Sequence, residues 1–234
     1  MMPQGTNGRQ AQKSEAAIAR ALEAALELFS TQGYGATSLR QISSSSGLSG
    51  GNLDHHFGSK DAIFQRLIDE YMNRLADADN PLQQVFRRAA FPDDLDEMAT
   101  AIRSTVEQSS PYIKLIYIDF IEFEGVHMRT FYQGMAGLFA DYYSETLERR
   151  TANGEFGDID PLVAVMFATR WLFYFYTMEK CFGVPMHFGV NEHQAVTEFI
   201  KILRLGVLPR PVEGETGRVE VAASAGQHRQ NRQN

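Results

Sequence analysis

Apolar residues recur at three- and four-residue intervals along most of the chain, the spacing of one face of a helix. Ile18, Leu22, Ala25, Leu26 and Phe29 set the first such face, which Gly33 and Gly35 end. Ser38 and Gln41 stand as a capping box before a short helix carrying Leu39 and Ile42. Gly47 stops that helix, and Ser49 caps the next, which runs through Leu53 to Phe57. Ser59 opens a longer helix bearing Ile63, Phe64, Leu67, Ile68, Tyr71 and Leu75, and Pro81 breaks the pattern. Further helices are predicted at 94–109, 111–124, 127–152, 161–181 and 192–206. Asp160-Pro161 is a start signal for the fourth of these, and Asn191 with Gln194 for the fifth. No Gly-bounded series of alternating strands interrupts them, so the expected fold class is all-α.

The pattern divides the chain. Residues 1–12 and 209–234 are polar, without an apolar face, and are expected to be disordered. Residues 13–72 make a small helical module and residues 73–208 a larger helical domain. The most apolar run, Pro161 to Met178, is shorter than a membrane span and carries Arg170, so it reads as a buried helix. With no apolar stretch in Met1 to Gln12, and Cys181 the sole cysteine, a cytoplasmic protein is expected.

The overall charge of −7 argues against a nucleic-acid partner until it is split. Residues 1–60 hold 5 Lys/Arg against 4 Asp/Glu, whereas residues 61–208 hold 13 against 22. The acid lies in the larger domain, and the small module stays near neutral, a weak footprint for phosphate.

The informative segment is Thr37 to Phe57, two short helices joined by a turn at Gly47. Leu39, Ile42, Leu48, Leu53 and Phe57 can pack inward on the first long helix. That leaves Gly50, Gly51, Asn52, Asp54 and His55 on the outer side, where a glycine-rich helix tip can approach DNA and Asn52 can reach base edges. From about Ser14 to Tyr71 the chain resembles the tetracycline-repressor (TetR) family. The resemblance rests on Leu-Phe-x-x-x-Gly-Tyr, then Ala-Thr-Ser-Leu-Arg-Gln-Ile, then Gly-Leu-Ser-x-Gly-Asn-Leu-x-x-His-Phe-x-Ser-Lys-Asp-Ala-Ile. It implies an all-α homodimer with an N-terminal helix-turn-helix and a divergent ligand-binding domain. It also implies phosphate contacts from Thr37, Ser38, His56 and Lys60, and places Ser49, Gly51, Asn52 and His55 near DNA. Arg40 and Gly50 complete the expected DNA-facing set.

Two positions depart from the family pattern. Asp54 stands where a tyrosine is usual, and Gly50 where a lysine or other polar residue is common. A carboxylate facing phosphate costs about 1 kcal/mol near a surface. Ser43 to Ser46 replace small apolar residues; Ser43 and Ser46 can return their hydroxyls to carbonyls one turn back.

In the larger domain the aromatics supply the expected pocket: Phe120, Phe123, Phe131, Phe139, Phe167, Trp171 and Tyr174, with Arg170 and Glu122 as candidate polar groups. Val163, Phe175, Val196, Phe199, Ile200 and Leu203 on the last two helices are the expected dimer interface. Gly47 to Gly51 formally matches a nucleophile elbow, but a helix precedes it where that motif needs a strand. His55-His56 point to different helix faces and have no ligand set around them, so no metal, cofactor or enzyme activity is expected. The expected function is a ligand-responsive regulator, most simply a repressor, binding double-stranded DNA as a homodimer and an apolar or aromatic effector. The competing reading is a small-molecule or protein-binding helical module whose helix-turn-helix binds DNA weakly.

Overall fold

The computed structural model describes residues 6–208. The tail from 209 and the first five residues lie outside it. Nine α-helices and one π-helical turn account for the described elements, with no strand among them.

Helix α1 spans Thr6–Gln32, so it begins ahead of the expected boundary at 13, and residues 6–12 are helical. Its face of Ala21, Leu22, Ala25 and Phe29 is buried, and Gly33, at φ 89, ends it by donating its N–H to the Phe29 carbonyl. Helix α2 (Leu39–Ser46) opens on the full Ser38–Gln41 capping box and closes at Gly47 in the left-handed region. Helix α3 (Gly50–Phe57) is capped by the Ser49 hydroxyl, and α4 (Lys60–Ala76) by that of Ser59. Helix α4 runs unbroken past residue 72, so no linker separates the module from the larger domain; its buried Ile63, Phe64, Leu67, Ile68 and Tyr71 belong to one continuous core.

Pro81 starts a helix rather than merely breaking one: α5 (Pro81–Arg88) has proline at its first turn and Asn80 as cap. The expected helices 94–109 and 111–124 are a single helix, α6 (Leu95–Glu122), with Pro111 inside it. Pro111 sits on the exposed side. On the other side Ile102 and Val106 before it, and Tyr112, Ile113 and Leu115 after it, share one buried face. Burying several large apolar side chains at roughly 1.5–3 kcal/mol each outweighs the ~3 kcal/mol cost of an internal proline.

Helix α7 is Arg129–Ala152, α8 is Pro161–Tyr176, and α8 continues into a π turn at Thr177–Cys181. Helix α9 is Glu192–Val207, capped by Asn191. Helix α6 is the axis of the molecule, packing against α1, α4, α5, α8, α9 and the π turn. No helix among the described residues is long and apolar enough to cross a membrane.

Candidate functional site

The helix-turn-helix is held from inside by Ile42, Leu48 and Leu53, all buried, while Leu39 is 39% exposed and does not pack inward as expected. Ser46 returns its hydroxyl to the Ser43 carbonyl, but Ser43 donates forward to the Leu48 carbonyl at 2.5 Å, tying α2 to the turn. The outer surface carries Ser38, Arg40, Ser49, Gly50, Gly51, Asn52, Asp54 and His55, all exposed, with His56 half-buried beside His55. A Cβ placed on Gly50 or Gly51 meets nothing within 4 Å. Those glycines therefore serve no internal packing, and they leave the N-terminus of α3 open to an approaching backbone. Amide N–H groups at such a terminus favour anions.

Two expected phosphate contacts have other work. Thr37 is buried: its hydroxyl donates to the Gly33 carbonyl at 2.8 Å and accepts from Gln32 Nε2 at 3.1 Å. Lys60 Nζ donates to the carbonyls of Tyr34 (2.8 Å) and Thr37 (2.7 Å) and lies 3.9 Å from the centre of the Tyr34 ring. Both residues pin the α1–α2 turn. The capping and glycine signals placed the turn, but contacts spanning 23–26 residues carry no local signature.

The same turn is gripped from the larger domain. The Glu122 carboxylate, at the end of α6, accepts N–H bonds from Tyr34 (3.1 Å) and Gly35 (2.7 Å). Glu122 is therefore a junction residue, not a pocket group. Phe123 beside it packs on Tyr34 (4.5 Å between ring centres), Phe64 (4.9 Å) and His127 (4.9 Å), which removes it from the expected pocket as well. Asp119, fully buried, accepts from His127 Nδ1 at 2.6 Å and from the Met128 backbone N–H at 3.0 Å, fixing the α6–α7 connection. His127 Nε2 lies 3.8 Å from Asp61 Oδ1 on α4. Gly125, at φ 73, passes so close to Phe120 that a Cβ there would stand 2.9 Å from its ring.

Phe120 leads into a cavity of about 490 Å³ bounded by α4, α5, α6, α7 and α8. Of the expected pocket residues, Phe120, Phe131, Phe139, Arg170 and Tyr174 line it. Phe167 is instead 68% exposed on the outside of α8, and Trp171 stacks between Phe175 (5.0 Å) and Phe199 (3.8 Å). The pattern missed Tyr71, Phe86, Tyr117 and the methionines Met72, Met128 and Met135, which also face the cavity. Among its polar groups, Gln83 is already used, donating to the Leu75 carbonyl and accepting from the Tyr142 hydroxyl. Thr169 donates to the Val165 carbonyl. Burial pushes the Tyr71 and Tyr117 hydroxyls up, so both stay protonated.

The last two helices present a second surface. Phe175 and Ile200 are buried within the chain and cannot meet a partner, and Phe199 is engaged by Trp171. The apolar residues left outside are Val163 and Phe167 on α8 and Ile202 and Leu205 on α9, while Tyr174, also exposed, stands at the cavity. Val196 and Leu203 are half-buried and pack against the core.

Among the described residues no group of three or more His, Cys, Asp or Glu side chains stands together as a metal site. Residues 21–67 match the family model of bacterial regulatory proteins, tetR family. The HTH-type transcriptional regulator YfiR of Bacillus subtilis, itself uncharacterized, is 24% identical over 148 residues, 63% of this chain and 71% of that one. A tetR-family regulatory protein from Rhodococcus RHA1 has the same fold, with a TM-score of 0.57 at 20% identity, over 83% of this chain and 98% of that one. PfmR from Thermus thermophilus, a TetR-family regulator, gives 0.54 at 21% identity over 82% of this chain and 100% of that one. Residues 21–67 are thus similar to the helix-turn-helix module of tetR-family regulators, and the chain shares the fold of these regulators along most of its length.

Proposed function

We propose that this chain is a one-component transcriptional regulator that holds an inverted-repeat operator as a homodimer and releases it when an apolar effector enters the cavity. The observation that carries this reading is the α6–α7 connection. One short segment supplies Phe120 and Met128 to the cavity wall and Glu122 and Phe123 to the helix-turn-helix. A ligand that moves Phe120 acts on the segment that grips the turn between α1 and α2, so differential binding to two arrangements shifts DNA affinity. The DNA-facing set is Ser38, Arg40, Ser49, Gly50, Gly51, Asn52, His55 and His56, with Thr37 and Lys60 shaping the turn behind it. One such module reads few bases, and a two-fold pair reads two half-sites about 34–36 Å apart or a multiple of that. The exposed apolar residues Val163 and Phe167 of α8 and Ile202 and Leu205 of α9 are the ones that would pair.

The test is selection of bound sequences from random duplex DNA, followed by titration of wild type and Asn52→Ala on the selected site and on an unrelated one. An inverted repeat should emerge, and Asn52→Ala should weaken the selected site more than the unrelated one, by roughly 1–3 kcal/mol for a lost base contact. No enrichment, with only salt-sensitive unspecific binding, would favour the competing reading of a helical binding module with a weak helix-turn-helix.

A further inference from the structure

Arg170 lies at the cavity on α8, and among the described residues no carboxylate pairs with it. Among the described residues the cavity wall holds no Asp or Glu, and Arg170 is its only cation. The surrounding domain, residues 61–208, carries 22 acidic against 13 basic residues. Several arginines of this domain are paired with carboxylates, among them Arg88 with Glu97, Arg103 with Glu107 and Glu192, and Arg150 with Asp93 and Glu155. Arg170 is distinguished by its place, the one arginine among the described residues in the wall of a chamber lined mainly by rings and methionines.

The Arg170 guanidinium carbon stands 4.8 Å from the centre of the Tyr132 ring. A guanidinium that meets a ring with its face keeps its N–H donors along the edge, the fork that matches a carboxylate. Tyr117 and Tyr174 line the same cavity, and Tyr117 lies near enough to Arg170 for the guanidinium to act on its hydroxyl. Burial dominates there and keeps the Tyr117 hydroxyl protonated, a donor rather than a competing anion. The remaining wall offers apolar and aromatic surface, and its volume is in the range of small-molecule sites.

We infer that the effector is an apolar molecule bearing a single carboxylate, its body in the cavity and its acid group on Arg170. This rests on the cavity's being the effector site, as proposed above, and adds the chemical class of the ligand. The same arrangement discriminates: an amine of equal size would set its charge against Arg170 with no carboxylate in the wall to receive it, and an alcohol would leave the fork unpaired.

Three fluorescent probes of common body separate these cases: pyrenebutyrate, pyrenebutanol and pyrenebutylamine, titrated into the full chain. Wild type should bind the acid about tenfold more tightly than the alcohol, the effect of a charge-assisted bond discounted for partial exposure, and the amine most weakly. Arg170→Gln should bring acid and alcohol within about twofold of one another, as the charge-assisted bond is lost. Arg170→Lys should keep part of the preference, and added salt should shrink it in wild type. Arg170 is exposed, so both variants should melt as wild type does. Equal binding of acid and alcohol by wild type would overturn the acid-binding role and leave the cavity reading standing. A preference that survives Arg170→Gln would do the same. Failure of all three probes to bind would overturn both.

Discussion

The grip of Glu122 on the turn between α1 and α2 can be measured through Gly35. The Gly35 N–H donates to Glu122 Oε2 at 2.7 Å, and a Cβ built on Gly35 would stand 3.1 Å from the same oxygen. Gly35 has no positive φ, so alanine is tolerated by the backbone there. In Gly35→Ala the new methyl therefore acts on the carboxylate, which must withdraw by a few tenths of an ångström and loses its best bond. A hydrogen bond to a charged group contributes about 1.5–3 kcal/mol; exposure of this pair brings the expected loss to about 1 kcal/mol. In a Glu122→Ala background there is no carboxylate to displace. Gly35→Ala should then be neutral or stabilising by about 0.4–1 kcal/mol, because alanine restricts the unfolded chain.

The quantity read is thus a coupling of about 1 kcal/mol from a double-mutant cycle in urea unfolding. Amide hydrogen exchange adds a local readout: Glu122→Ala should raise the rates at Tyr34 and Gly35 by about fivefold, the same 1 kcal/mol expressed as a population. Amides in the middle of α4 should keep their rates. If the two substitutions add to within about 0.3 kcal/mol, or if the Gly35 amide exchanges no faster, the carboxylate does not hold the turn. The route from cavity to helix-turn-helix would then lose its polar half.

Three further outcomes are open to test. Asp54 is exposed on α3, so Asp54→Tyr should raise affinity for unspecific DNA by removing a charge facing phosphate; unchanged affinity in an anisotropy titration would mean that Asp54 points elsewhere or reads a base. Leu205 is 74% exposed on α9, so Leu205→Glu should lower the sedimentation mass from dimer to monomer while leaving the helical signal intact; a dimer that persists would move the interface away from α9. Asp94 is buried with no hydrogen-bond partner for either carboxylate oxygen among the described residues, and desolvation raises its pKa against the smaller opposing effects of nearby backbone N–H groups and Arg88. Folding therefore favours its protonated form, and stability should fall as pH rises from the unfolded carboxylate value through the folded one. Asp94→Asn should raise the melting temperature at neutral pH, with the gain fading in acid; a lower melting temperature at neutral pH would show that the charge is stabilised there.

What was legible in the sequence was local, and the physics explains why. The Ser38–Gln41 box, the Gly47 stop and the Ser49, Ser59, Asp160 and Asn191 caps act over two to four residues, and each appears in the structure where the pattern put it. Signals of that range also misled. Pro111 reads as an end because its local cost is visible, whereas the burial that outweighs it depends on what α6 packs against. Lys60 and Thr37 read as phosphate contacts by position in a motif, yet their partners are Tyr34, Thr37 and Gly33, set by how the chain closes on itself. Glu122 finds its partners 87 and 88 residues away. Periodicity tells that an aromatic lies on a helix, but not whether its side meets a cavity, a core or solvent. Phe139, Phe123, Phe175 and Phe167 look alike in the sequence, and they face the cavity, the helix-turn-helix junction, the core and the outside respectively. The junction is where those distinctions matter most, because residues 119–128 satisfy cavity and helix-turn-helix at once. A segment with two such obligations has few ways to move that do not change both, and this makes it the natural place to look for the coupling of effector to DNA.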